Sequence, residues 1–296
     1  MPVQDRARNF VSENTTKLLE RLAFQVNTTL HSHHADPVHD LRVAIRRFHQ
    51  ALVAFRGVLP RREVKRVRRK LKTLIDAAGG VRDCDVLIKM LGKRDLPGVA
   101  ALKKKVQEHR KAAVPVLVAA LERWVAQRSS SKWRSALLAC QVQDGLQPRL
   151  RRAARKFLAN GEAAAAEKAS AEDLHRFRIE AKKFRYTLEL FEPAWGDPVS
   201  QWLARLKPVQ TVLGDVHDSF MARDIAERFG GSREIDAWLK RRQRRKLREF
   251  RRLWQESFPV PDQPLRIAAL RRPARKPAAS TTAGEAAGPV AVPRTA

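Results

Sequence analysis

His39, Arg42, Arg46 and His49 stand three or four residues apart, the spacing that stacks side chains along one face of a helix. At 100° per residue they fill a strip from about 80° to 160° beside the apolar line through Leu41. His175, Arg178, Lys182 and Arg185 repeat the strip with the same spacing. Lys65, Arg69 and Lys72 form a similar strip on the following segment, and Lys207 takes the duplicated place of Lys72. Cations about 5 to 6 Å apart repel one another unless an anion lies along them. Arginine adds bidentate contacts to phosphate oxygens, and lysine a mobile point charge. The chemistry on offer is therefore capture of an extended, phosphate-like polyanion. Arg47 and Lys183 fall on the opposite flank, at about 240°, and carry less weight on geometry alone.

The elements that position these residues are helical. Val38, Leu41, Ile45, Phe48, Leu52 and Phe55 make the stripe of one amphipathic helix, with Asp36 expected as its cap and Pro37 in its first turn. Val64, Val67, Leu71, Leu74, Ile75 and Ala78 make the next, which Gly79-Gly80 is expected to end. Leu239, Leu247, Phe250 and Trp254 mark a late helix, and Ser170 with Asp173 spells a capping box. Period-two alternation is absent, so the fold class is all-α.

The chain also repeats itself. A shift of 136 places VHDLRVAIRRFHQALVAF on LHRFRIEAKKFRYTLELF, and a shift of 135 places Lys72 on Lys207 and Val81-Arg82-Asp83 on Val216-His217-Asp218. Two blocks in the same order mean duplication of a whole unit, at about 5–128 and 133–258. Two helical bundles about a pseudo-twofold are the simplest arrangement. If their basic strips face each other, they form a positive groove or channel. Basic residues on amphipathic helices ordinarily make a solvated face. Recurrence of the same residue types at the same angles in both copies argues against that reading for the strip.

Sixty Lys and Arg against 31 Asp and Glu leave a formal charge of +29, which calls for an anionic partner. With 44% hydrophobic residues a full core is affordable. Seven of the sixteen prolines follow Phe258, so residues 259–296 read as a disordered tail beyond a folded body of 1–258. Cys84 and Cys140 are too few for a disulfide framework. The longest apolar run, Ala112 to Leu121, has ten residues and contains Pro115. The N-terminus has no secretory signal, so a cytoplasmic protein with no membrane partner is expected. His31, His33 and His34 lack a second group of ligands and read as a polar helix end, so neither metal nor cofactor is assigned.

The segments VHDLRVAIRRF and LHRFRIEAKKFRY, followed by GGVRD and GDVHD, resemble the CHAD family, the conserved histidine α-helical domain. The resemblance covers roughly residues 5 to 258. It implies two four-helix bundles with a basic central pore that binds inorganic polyphosphate, and association with polyphosphate granules. By resemblance the binding positions are His39, Arg42, Arg46, Arg47, His175, Arg178, Lys182, Lys183, Arg185, Tyr186, Lys72, Lys207 and His217. Asp83 and Asp218 belong to the same motif. The first copy has His49-Gln50 where the second has Arg185-Tyr186, so the site should be asymmetric.

Non-catalytic polyphosphate binding is the function these residues favour. Weaker, non-specific nucleic-acid contact through the tail or Lys240 to Arg252 is the competing reading, with few aromatics placed for base stacking. Catalysis lacks an acid–base constellation. Asp83, Asp85, Asp215 and Asp218, near expected helix ends, are assigned to orienting Arg or His by hydrogen bonds. His39, His175 and His217 are expected to charge below about pH 6.5 and tighten binding there.

Overall fold

The computed structural model describes residues 3–56, 58–92, 94–138 and 147–270. Helices α1 (Val3–His31), α2 (Ala35–Ala54), α3 (Arg61–Leu91) and α4 (Val99–Ala126) form the first bundle, with α5 (Ser129–Leu138) packed on α1, α3 and α4. Helices α6 (Gln147–Ala165), α7 (Ala171–Trp195), α8 (Asp197–Arg228) and α9 (Arg233–Ser257) form the second. A 3-10 turn (Val260–Asp262) leads to α10 (Gln263–Ala269), which lies on α6. No strand occurs among the described residues.

The duplicated stripes build the core. In α2 and at its C-cap, Val38, Leu41, Ile45, Phe48, Leu52 and Phe55 are all at most 2% exposed. Leu174, Phe177, Ala181, Phe184, Leu188 and Phe191 are buried likewise in α7. The bundles meet α2 against α7 and α3 against α8, pairing each helix with its own duplicate. Phe55 and Phe191, the same position in the two copies, pack edge to face at 6.2 Å across that junction. Gln50 donates to the Thr187 hydroxyl at 2.9 Å within the same buried seam. This pairing turns the basic strips toward one another.

Local signals fared unevenly. Ser170 and Asp173 form the capping box in full, each side chain meeting the other's backbone N–H at 3.1 Å. Helix α2 instead starts at Ala35, flanked by His34 without a side-chain cap, and Asp36 lies in its first turn. Gly79-Gly80 does not end α3, which continues to Leu91. A Cβ on Gly79 would stand 3.1 Å from Arg42 Nη1, so the glycine makes room for that guanidinium. Buried Val81, Leu87 and Leu91 anchor the helix past the pair. Asp83, Asp85, Asp215 and Asp218 consequently sit well inside α3 and α8, away from their ends.

The folded part also reaches beyond Phe258. Pro261 and Pro264 occupy first-turn positions of short helices, where a missing N–H costs nothing. Trp202 Nε1 donates to the Arg266 carbonyl, and Leu270 is fully buried. Residues 271–296, the remainder of the expected tail, lie outside the described residues, as does Cys140. No described helix is long and apolar enough to cross a membrane.

Candidate functional site

A cleft of about 540 Å³ opens between α2, α3 and α7. Arg46 and His49 come from α2, Lys65, Arg68, Arg69 and Lys72 from α3, and Arg178, Lys182 and Lys183 from α7. Ile45, Leu71, Ile75, Ile179 and Tyr186 supply its apolar surface. None of the described residues lining it is acidic. Strips from both copies thus converge on one space, as the duplication implied.

Beside the cleft, charges from the two bundles interpenetrate. Arg42 donates to the Ile75 carbonyl at 3.0 Å and is half-buried. Burial, then repulsion from Arg46, pulls the Arg42 guanidinium down to about 10. Burial and the same Arg46 bring Arg178, on the opposite bundle, down to about 10. Lys182 is the extreme case: burial, Arg178 and Arg46 lower it to about 6. It makes no hydrogen bond or ion pair among the described residues. Arg178 Nε is buried with no hydrogen-bond partner among the described residues. Like charges from both bundles are crowded here, and their partial burial weakens the screening between them.

Arg178 also borders a smaller hollow of about 200 Å³, lined by His175 and His217, whose rings lie 5.6 Å apart. Burial, then Arg178, pushes His217 down to about 3. His39 is lowered by burial and by Arg82. His49 drops to about 4 through burial and Arg68, whose Nε donates to its Nε2 at 3.0 Å. His217 is therefore held well below the ordinary imidazole range in the empty protein, contrary to the sequence expectation, and His39 is shifted in the same direction.

Several expected residues are placed differently. Lys183 does line the cleft, and it also pairs with Glu180 at 2.8 Å. Arg47 is drawn away by Glu189 of α7, at 3.0 Å. Arg185 lies 4.7 Å from the Tyr186 ring and 3.5 Å from Glu189, outside the cleft lining. Lys207 is exposed on α8, which contributes nothing to that lining. Asp83 and Asp218 orient nothing by hydrogen bonding: neither has an ion pair or hydrogen bond among the described residues. Burial raises both carboxyls, against the pull of Arg42 and Arg46 on Asp83, and of Arg178 and Lys182 on Asp218. They act as counter-charges through space. The orienting carboxylates are Asp85, which takes Arg110 at 2.6 Å, and Asp215, which takes Arg242 and Lys246 at 3.1 Å each.

Two cations were overlooked. Arg82 interacts with Asp83, His39 and Asp218, and its signal was present, since it occupies the duplicated place of His217. Arg68 lies three residues from Lys65 and four from Lys72, on the face that meets the cleft. Cys84 is mid-helix, its thiol donating to the Gly80 carbonyl and raised to about 11 chiefly by burial, which disfavours the thiolate. No group of three or more His, Cys, Asp or Glu among the described residues could hold a metal ion.

The family model for the CHAD domain matches residues 15–227. The fold is similar to the crystal structure of the CHAD domain from the plant Ricinus communis, with a TM-score of 0.64 and 22% identity, covering 90% of this chain and 93% of that one. It is also similar to PptA from Streptomyces chartreusis, with a TM-score of 0.59 and 17% identity over 85% of this chain and 98% of that one. No curated protein matches the chain.

Proposed function

This chain belongs to the CHAD domain family, and on that footing we propose that it binds inorganic polyphosphate, without turning it over, in the cleft between its two bundles. The observation that carries this reading is the lining itself: among the described residues, eight Lys and Arg side chains from both duplicated units and no carboxylate. A phosphate chain laid along it relieves the repulsion that the empty site bears and releases its own counterions. The ligand also supplies the partner that Arg178 Nε and Lys182 lack. Turnover would need an acid or base beside the scissile bond. Neither neutral base of the cleft is left free for that on this reading: His49 already accepts from Arg68, and Lys182 takes up a proton beside the bound anion.

Titration with long-chain polyphosphate tests the proposal, comparing the parent protein with a variant carrying Arg42→Ala, Arg46→Ala, Arg178→Ala and Lys182→Ala. Loss of affinity by two or more orders of magnitude, with a steep salt dependence in the parent, is the expected result. Unchanged binding would place the ligand on another surface. Phosphate release that requires His39 would overturn the non-catalytic assignment. Association with polyphosphate granules in the cytoplasm is part of the proposal, and a fluorescent fusion should co-localise with them. A fusion that stays diffuse in granule-bearing cells would contradict it.

A further inference from the structure

Away from the cleft, the outer face of α9 carries charge that no described residue pairs. Arg241, Arg244, Arg245 and Arg248 are exposed and make no ion pair or hydrogen bond among the described residues. Their neighbours are already committed: Lys240 to Asp236, Arg242 and Lys246 to Asp215, and Arg252 to Glu256. These four arginines border a hollow of about 450 Å³ together with Arg242 and Trp238. From Arg241 to Arg248 the helix advances about 10 Å, so the four guanidinium groups crowd a short stretch of surface.

We propose that this face is a second, separate anion surface, one that docks the phosphate backbone of duplex nucleic acid without regard to sequence. Guanidinium groups match phosphate oxygens in pairs, and a row of them on a rigid helix meets a rigid row of phosphates at several points at once. A bilayer is a poorer fit. The apolar side of α9, with Ile235, Leu239, Phe250 and Trp254, is spent on the core. The exposed large apolar side chains, Phe24, Val116, Val125, Ile179 and Val260, all lie off this helix, so nothing on it inserts into lipid. A folded protein partner would want an apolar anchor on the same face. A single strand would want a free aromatic platform, but the Arg94 guanidinium lies 4.3 Å over the Trp238 ring.

The test is fluorescence anisotropy with a labelled 20-base-pair duplex of arbitrary sequence over a sodium chloride series. The variant is Arg241→Gln, Arg244→Gln, Arg245→Gln and Arg248→Gln together. All four side chains face solvent, and unchanged polyphosphate binding in the same preparation confirms an intact fold. The variant should lose about three to four from the slope of log affinity against log salt, and at least tenfold in affinity near physiological salt. A cleft variant with Arg46→Gln and Lys182→Met should keep the duplex affinity of the parent. Undiminished duplex binding by the α9 variant would overturn the proposal, and so would loss of duplex binding in the cleft variant. Single-stranded DNA, long-chain polyphosphate or anionic vesicles that match the duplex in affinity and depend on the same four arginines would overturn it as well.

Discussion

Replacing Lys182 by methionine, which keeps the length and removes the amine, should stabilise the empty protein and weaken its hold on polyphosphate. In the folded state this amine is lowered from its ordinary 10.5 to about 6 by burial, Arg178 and Arg46. Each tenfold change in its proton equilibrium corresponds to about 1.4 kcal/mol. With an allowance for relaxation and water entry, the relief at pH 7 is of order 2–4 kcal/mol. That should raise the thermal midpoint by about 5–10 °C in a domain of this size. The sign follows from a base whose folded value is depressed. The penalty is fully present below pH 6 and fades as pH rises toward 10.5, so parent stability climbs across that window. Thermal melts from pH 6 to 10 should show the climb in the parent and its loss in Lys182→Met. Ligand reverses the balance. An anion beside Lys182 draws a proton onto it, so polyphosphate affinity should grow as pH falls toward 6, by up to about tenfold per pH unit. The variant should bind about tenfold or more weakly at pH 7, without that dependence on Lys182. A variant that melts lower than the parent while binding polyphosphate equally well would refute the reasoning.

Arg82→Ala should weaken polyphosphate binding by about tenfold, a loss near 1.4 kcal/mol measurable by calorimetry, because Arg82 belongs to the cluster around Asp83 and Asp218. Gly214→Ala should raise stability by about 0.5–1 kcal/mol in denaturant titration, since the added Cβ meets nothing within 4 Å. Its duplicate Gly79→Ala should gain less and lose polyphosphate affinity, because the Cβ presses on Arg42 at 3.1 Å; equal gains at both glycines would contradict the close approach. Ser170→Ala should cost about 1 kcal/mol through the broken capping box, with polyphosphate binding unchanged.

Periodicity made the two key helices legible, because a stripe such as Val38 to Phe55 has one use in water, and duplication made the two strips legible as one site. Their convergence followed from a pseudo-twofold junction that brings Phe55 onto Phe191. Other features depend on what the opposite bundle covers, which no local pattern records. Lys182 is an unremarkable helical lysine until Arg46 and Arg178 close around it. Gly79-Gly80 read as a stop because a glycine pair weakens an isolated helix. Its actual use, admitting the Arg42 guanidinium, is a tertiary contact. Arg47 and Lys183 share a flank, yet Glu189 removes one from the cleft while the other remains. The prolines after Phe258 were weighed as composition, when Pro261 and Pro264 stand at helix starts.

Residue-resolved acylation of lysines at pH 7, with and without long-chain polyphosphate, tests the cleft most directly. Only the neutral amine reacts, so Lys182, lowered to about 6, should label readily in the free protein. Ligand should suppress labelling at Lys182, Lys65 and Lys72 together, while exposed Lys17 and Lys104, outside the cleft lining, keep their rates. Equal labelling of Lys182 in both conditions, with protection appearing elsewhere, would mean that the anion does not enter the space between the bundles.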